Sequence, residues 1–130
     1  MIISMNGWIF DVDMTATMAH SAEEAAEHCL CRSCRNFYAA IDSHYPQLRQ
    51  TLAQFGLDVE GPDQMTPPDT IGAYLDYDPS FFVYGQILQI GDRPIEAGTA
   101  YLLAEPIADT WDGQPYFRLD AYDVTLPWVL

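Results

Sequence analysis

Trp8-Ile9-Phe10-Asp11-Val12-Asp13-Met14 is the stretch on which the fold turns. Trp8, Phe10, Val12 and Met14 alternate with Ile9, Asp11 and Asp13, a period of two with one apolar and one wet face. A strand inside a parallel sheet is covered on both faces and is apolar throughout, so a half-wet strand belongs to an antiparallel sheet. The final third of the chain reads the same way. Phe81 to Ile90 is rich in aromatic and branched residues, and Gly91-Asp92 turns it. Thr99 to Ala104 is a short strand, and Asp112-Gly113 is a turn. Phe117, Leu119 and Ala121 then alternate before Val124 and Leu126 close the chain.

Between these strands the pattern is helical. Ser21-Ala22-Glu23-Glu24 is a capping box that predicts a helix start, and the alanine-rich run after it carries helical pattern to about Asp42. Pro46 suits the first turn of a second helix, Leu48, Leu52 and Phe55 form its apolar stripe, and Gly56 ends it. From Gly56 to Pro79, glycines and prolines punctuate a stretch without periodicity. Such a stretch either carries function or wraps the surface as an ordered extended segment. The expectation is a single α+β domain over residues 1–130. In it two helices cover one face of a mostly antiparallel sheet, formed by the N-terminal strand and the C-terminal strands.

Composition narrows the function. Nineteen acidic residues face five basic ones, all arginine, giving a formal net charge of -14. Five scattered arginines build no basic patch, which excludes phosphate-led nucleic-acid binding. No apolar run approaches the roughly 18 residues of a membrane span. Lysine is absent, and with it Schiff-base chemistry and the phosphate-cradling lysine. The apolar opening MIISMNGWIF has no basic residue ahead of it, so the chain reads as cytoplasmic with reduced thiols.

The sharpest local feature is His28-Cys29-Leu30-Cys31-Arg32-Ser33-Cys34-Arg35, which gathers all three cysteines. His28, Cys29, Cys31 and Cys34 have the composition of a Cys₃His zinc site, without the usual second ligand pair. On a continuous helix His28, Cys31 and Cys34 share a face, with Cys29 off it. His28 and Cys34 then lie about 9 Å apart along the axis at about 1.5 Å per residue. A closed site therefore requires the helix to break near Cys31 or to begin later, with His20 or His44 as a remote ligand. Two other readings stand beside zinc. One is structural thiols packing as small apolar groups. The other is a redox CxxC at Cys31 and Cys34, with Arg32 and Arg35 favouring the thiolate.

Two resemblances bear on function. Trp8-Ile9-Phe10-Asp11-Val12-Asp13-Met14-Thr15 resembles the DxDxT motif of haloacid-dehalogenase-type phosphatases, and Ile90-Gly91-Asp92-Arg93-Pro94-Ile95-Glu96 resembles their later magnesium motif. That likeness implies a nucleophile at Asp11, an acid/base at Asp13, magnesium, and a parallel sheet built from βαβ units. Met14 stands where the family has glycine. The second resemblance is carried by the His28–Tyr38 block HCLCRSCRNFY, Tyr45-Pro46, Phe55-Gly56-Leu57-Asp58 and the terminal Leu126-Pro127-Trp128-Val129-Leu130. These are similar to an uncharacterised family of small acidic bacterial proteins, which implies a compact domain and brings no activity, cofactor or partner with it.

The surface points to binding. A strong negative field favours a basic protein partner, and Tyr74, Tyr77, Tyr84, Trp111 and Tyr116 stand in or beside loops as recognition aromatics. A non-catalytic acidic protein with a basic partner is the leading expectation. A thiol or zinc module and the phosphatase are the alternatives.

Overall fold

Strand β1 (Ile2–Met5) and strand β2 (Trp8–Val12) are joined by Asn6-Gly7, both at positive φ (50° and 84°). Two consecutive left-handed residues give the turn whose twist matches an antiparallel hairpin, and Asn-Gly is its preferred pair. The computed structural model describes residues 1–130. Along β2, Trp8, Phe10 and Val12 are buried while Asp11 is exposed, as the alternation predicts. Met14 is no part of that strand. It opens helix α1 (Met14–Ala26), because the Asp13 side chain accepts the Ala16 amide at 3.1 Å and caps the helix there. The helix start therefore lies seven residues before the expected capping box. Ser21 is a buried mid-helix residue whose hydroxyl takes the Asp58 amide at 2.8 Å.

Helix α2 (Arg32–His44) and helix α3 (Pro46–Gln54) follow, so three helices stand where two were expected. Leu48, Leu52 and Phe55 of the predicted stripe are fully buried. The expected continuous helix to Asp42 breaks instead between Ala26 and Arg32. The end of α1 carries Glu23, Glu24 and the capping residue Glu27, and its last turn has no basic residue. Carboxylates there oppose the helix dipole, and Glu23 and Glu27 repel at i, i+4.

The Gly56–Pro79 stretch is an ordered segment. It contains β3 (Asp69–Ile71) and β4 (Tyr74–Tyr77), and Leu57, Val59, Leu75 and Tyr77 from it are buried. The chain then runs through β5 (Ser80–Gln89), β6 (Ile95–Ala97), β7 (Ala100–Trp111), β8 (Gln114–Tyr122) and β9 (Val124–Pro127). A six-stranded sheet has the order β1-β2-β5-β8-β7-β6, and a three-stranded sheet the order β3-β4-β9. Every pairing is antiparallel. The fold is α+β, with helices packed on an antiparallel sheet.

One core joins the two sheets to α2 and α3, through Phe10, Phe37, Ile41, Leu48, Leu52, Phe81, Phe117, Val124 and Leu126. No helix is long and apolar enough to cross a membrane. Of the five expected recognition aromatics, Tyr77 and Tyr84 are core residues, Tyr116 is half-buried, and Tyr74 and Trp111 are exposed. Burial of Tyr77 is tolerated because its hydroxyl donates to the Ser33 carbonyl at 2.7 Å.

Candidate metal centre

The break between α1 and α2 creates the site. Residues 28–31 are non-helical, and Cys31, with extended φ/ψ of -63° and 161°, occupies the N-cap position of α2. This turn folds Cys29 back toward the first turn of α2, so the sulfurs of Cys29, Cys31 and Cys34 lie within 4.8 Å of one another. The grouping differs from the one a continuous helix would give: Cys29 joins and His28 does not. The His28 ring stacks on Tyr38, centroids 4.0 Å apart and 10° from parallel, and its Nδ1 is buried without a hydrogen-bonding partner. The remote candidates are occupied elsewhere. His44 Nδ1 lies 3.0 Å from the Ala40 carbonyl, and His20 is bound to Asp63.

Helix α2 is held from behind. Asn36, fully buried, donates to the Pro127 carbonyl at 3.0 Å and accepts the Val129 amide at 2.7 Å. Tyr77 fixes the Ser33 carbonyl inside the CxxC turn itself. The first turn of α2 is thus tied to β4 and to the C-terminal segment, which sets the position of Cys34.

The three thiols are not equivalent. Cys29 and Cys31 are exposed and only Cys34 is buried, so packing as small apolar groups describes Cys34 alone. The Ser33 hydroxyl, 3.4 Å from the Cys31 sulfur, lowers that thiol to about 6, helped by the Cys34 backbone amide and the neighbouring sulfurs. Burial pushes Cys34 up to about 12, and the adjacent sulfurs add to it. Arg32 is not among the causes, and its guanidinium stands 5.0 Å over the Trp128 ring. The Ser33 hydroxyl and the Cys34 amide take the role that the sequence reading gives to the arginines.

A lowered thiol is thiolate above its pKa and protonated below it. In metal-free protein, iodoacetamide modification of Cys31 is therefore expected to rise with pH to a midpoint near 6, with Cys34 unmodified until far higher pH. Peptide mapping after timed alkylation reads this directly. A midpoint for Cys31 at an ordinary thiol value of about 8.5 contradicts the arrangement.

The sulfurs line a cavity of about 420 Å³ between the end of α1, the start of α2 and the segment Pro62–Pro68. His28, Glu24, Glu27 and Asp63 share its wall. The sequence reading gives Glu24 only a capping role and Asp63 no site role. His20 and Glu24 at i, i+4 were the available sign, whereas Asp63 arrives from 43 residues away.

Asp11 and Asp13 have other duties. Asp11 lies 3.3 Å from the terminal ammonium, and Asp13 is the α1 cap. Gly91-Asp92 packs against Gly7 at the far end of β2. Six residues of strand at about 3.3 Å each separate it from Asp13 by about 20 Å. The antiparallel sheet is not the parallel one that the phosphatase resemblance implies.

No family model, curated protein or solved structure matches this chain.

Proposed function

We propose that this protein binds zinc through the thiolates of Cys29, Cys31 and Cys34. The observation that carries the reading is the convergence of three sulfurs within 4.8 Å. Ligands 2.3 Å from a tetrahedral zinc stand a little under 4 Å apart, so small side-chain rotations suffice. Their chemistry agrees: two of the thiols are exposed, and the Ser33 hydroxyl and the Cys34 amide favour thiolate at Cys31. Three sulfurs leave the fourth position to a donor from the cavity, whose lining includes the imidazole of His28. The test is native mass spectrometry of protein refolded with zinc, before and after chelator. One zinc per chain, removed by chelator, supports the reading; the apoprotein mass alone under both conditions overturns it. Zinc at a hundred times its Kd also raises stability by about 2.7 kcal/mol.

A second reading keeps the basic protein partner. Asp69 and Asp76 stand directly opposite each other on β3 and β4, an arrangement of like charges that disfavours the pairing. The Asp76 carboxyl is raised by burial first and then by Asp69, Asp78 and Asp123. A cationic partner relieves this repulsion. Binding of an oligo-arginine peptide is expected to weaken at least tenfold, roughly, between low and near-molar salt, as the screening length shrinks from about 30 Å to about 3 Å. Asp76→Asn with Asp78→Asn weakens it further. Affinity indifferent to salt contradicts this reading.

A further inference from the structure

Helix α1 turns an unusual face inward. Thr17, His20, Ser21 and Glu24 follow the i, i+3, i+4, i+7 spacing that in a surface helix carries apolar side chains. Thr17, His20 and Ser21 are the buried residues of this helix, and none is apolar. Two of the four have a structural explanation. Thr17 Oγ1 accepts the Tyr84 amide at 3.1 Å, and Ser21 Oγ accepts the Asp58 amide at 2.8 Å. His20 and Glu24 remain, and both turn toward Asp63.

His20 Nε2 shares a hydrogen bond with Asp63 Oδ1 and lies 4.0 Å from Glu24 Oε1. The ligand atoms of the three residues fall within 4.8 Å of one another. Asp63 is 6% exposed at its side chain and fixed from behind. Its Oδ2 accepts the Phe82 amide at 2.8 Å, and its own amide donates to the Ser80 carbonyl at 2.8 Å. Tyr84 and Trp111 close edge-on over the imidazole, at 5.6 and 5.7 Å between centroids. Burial lifts the Asp63 carboxyl, and burial followed by the charge of Asp63 lifts Glu24. Two carboxylates therefore crowd one imidazole nitrogen in a rigid, partly dry setting, which a divalent cation neutralises better than a single proton.

We propose that His20, Glu24 and Asp63 form a second metal site, a nitrogen-and-oxygen site for a first-row divalent cation such as manganese or iron(II). One imidazole and two carboxylates suit these ions, whereas the three sulfurs across the cavity suit softer ones. Glu24 and Asp63 line the same cavity as Cys29, Cys31 and Cys34, whereas His20 faces a neighbouring cavity that it shares with Glu24, Tyr84 and Trp111. The site does not depend on the zinc reading, because none of its three ligands is one of the three sulfurs.

Manganese(II) is the probe, since it favours oxygen donors over thiolates. Titration of the full chain, with free ion followed by electron paramagnetic resonance, is expected to give one site per chain. Glu24→Gln, at a half-buried position that tolerates the amide, is expected to weaken binding more than about 10-fold, and Asp63→Asn more than about 100-fold. Cys29→Ser is expected to leave manganese affinity unchanged even where it removes zinc. Circular dichroism verifies that each variant is folded. Absence of binding, or equal affinity in wild type and Glu24→Gln, overturns the proposal.

Discussion

Cys29→Ser is expected to lower zinc affinity by more than about 100-fold while leaving the apoprotein as stable as wild type. Even partners behind a metal ligand are worth 10–100-fold, roughly, so loss of one of three sulfurs exceeds that range. Cys29 is the informative position because it is exposed, so the substitution tests ligation more than folding. Its sulfur accepts the Cys31 amide at 3.4 Å, a hydrogen bond that a serine oxygen can also accept. Cys34→Ser removes zinc as well. It also places a hydroxyl at a buried position, for a stability loss of about 1–3 kcal/mol, and so mixes two effects. Competition against a chelator of known affinity, beside a thermal melt of each apoprotein, separates them. Equal zinc affinity in Cys29→Ser and wild type contradicts the three-sulfur site.

The second large effect belongs to the fold. Gly85 lies in β5 at a φ of 147°, and a Cβ built there falls 2.1 Å from the Asp11 carbonyl oxygen and 3.0 Å from the Val12 Cα. Both neighbours are backbone of β2, whose register with β5 pairs Val12 with Gly85. Neither can rotate away as a side chain would. Gly85→Ala therefore forces the pair apart at the strand that carries Phe10, and strain and overpacking together are expected to cost about 3–5 kcal/mol. That is a large part of the roughly 5–15 kcal/mol that stabilises an ordinary domain. The melting temperature should fall by about 10–20 °C. Metal affinity of the folded fraction should be unchanged, because β5 contributes no ligand to the sulfur cluster. A melting temperature within a few degrees of wild type contradicts the β2–β5 pairing.

Fold class was legible because it rests on local alternation. Trp8, Phe10 and Val12 set one buried face of β2, and Phe117, Leu119 and Ala121 do the same in β8. Helix α3 was legible from Pro46 and its leucines. The opening hairpin was overlooked although Asn6-Gly7 between apolar runs is a strong turn signal. The helix start was misplaced because two capping patterns competed. Asp13 wins since Ser21 is taken by the Asp58 amide, a partner far along the chain. Strands β3 and β4 could not be read from Gly56–Pro79, because they depend on pairing with β9, about fifty residues later.

The site divides in the same way. Cys29, Cys31 and Cys34 announce themselves by type and proximity in sequence. Their convergence does not, because it depends on where the helix breaks, and that follows from carboxylates crowding the end of α1. His28 fits by type, but its ring stacks on Tyr38 and stands outside the sulfur grouping, on the wall of the same cavity. Asp63 carries no local sign at all, since only the tertiary fold brings it to His20.

X-ray absorption at the zinc edge of the zinc-loaded full chain is the most direct measurement. Three sulfur neighbours at about 2.3 Å, with one nitrogen or oxygen at about 2.0 to 2.1 Å, are expected. A shell of nitrogen and oxygen alone would place the metal away from Cys29, Cys31 and Cys34 and contradict the thiolate centre.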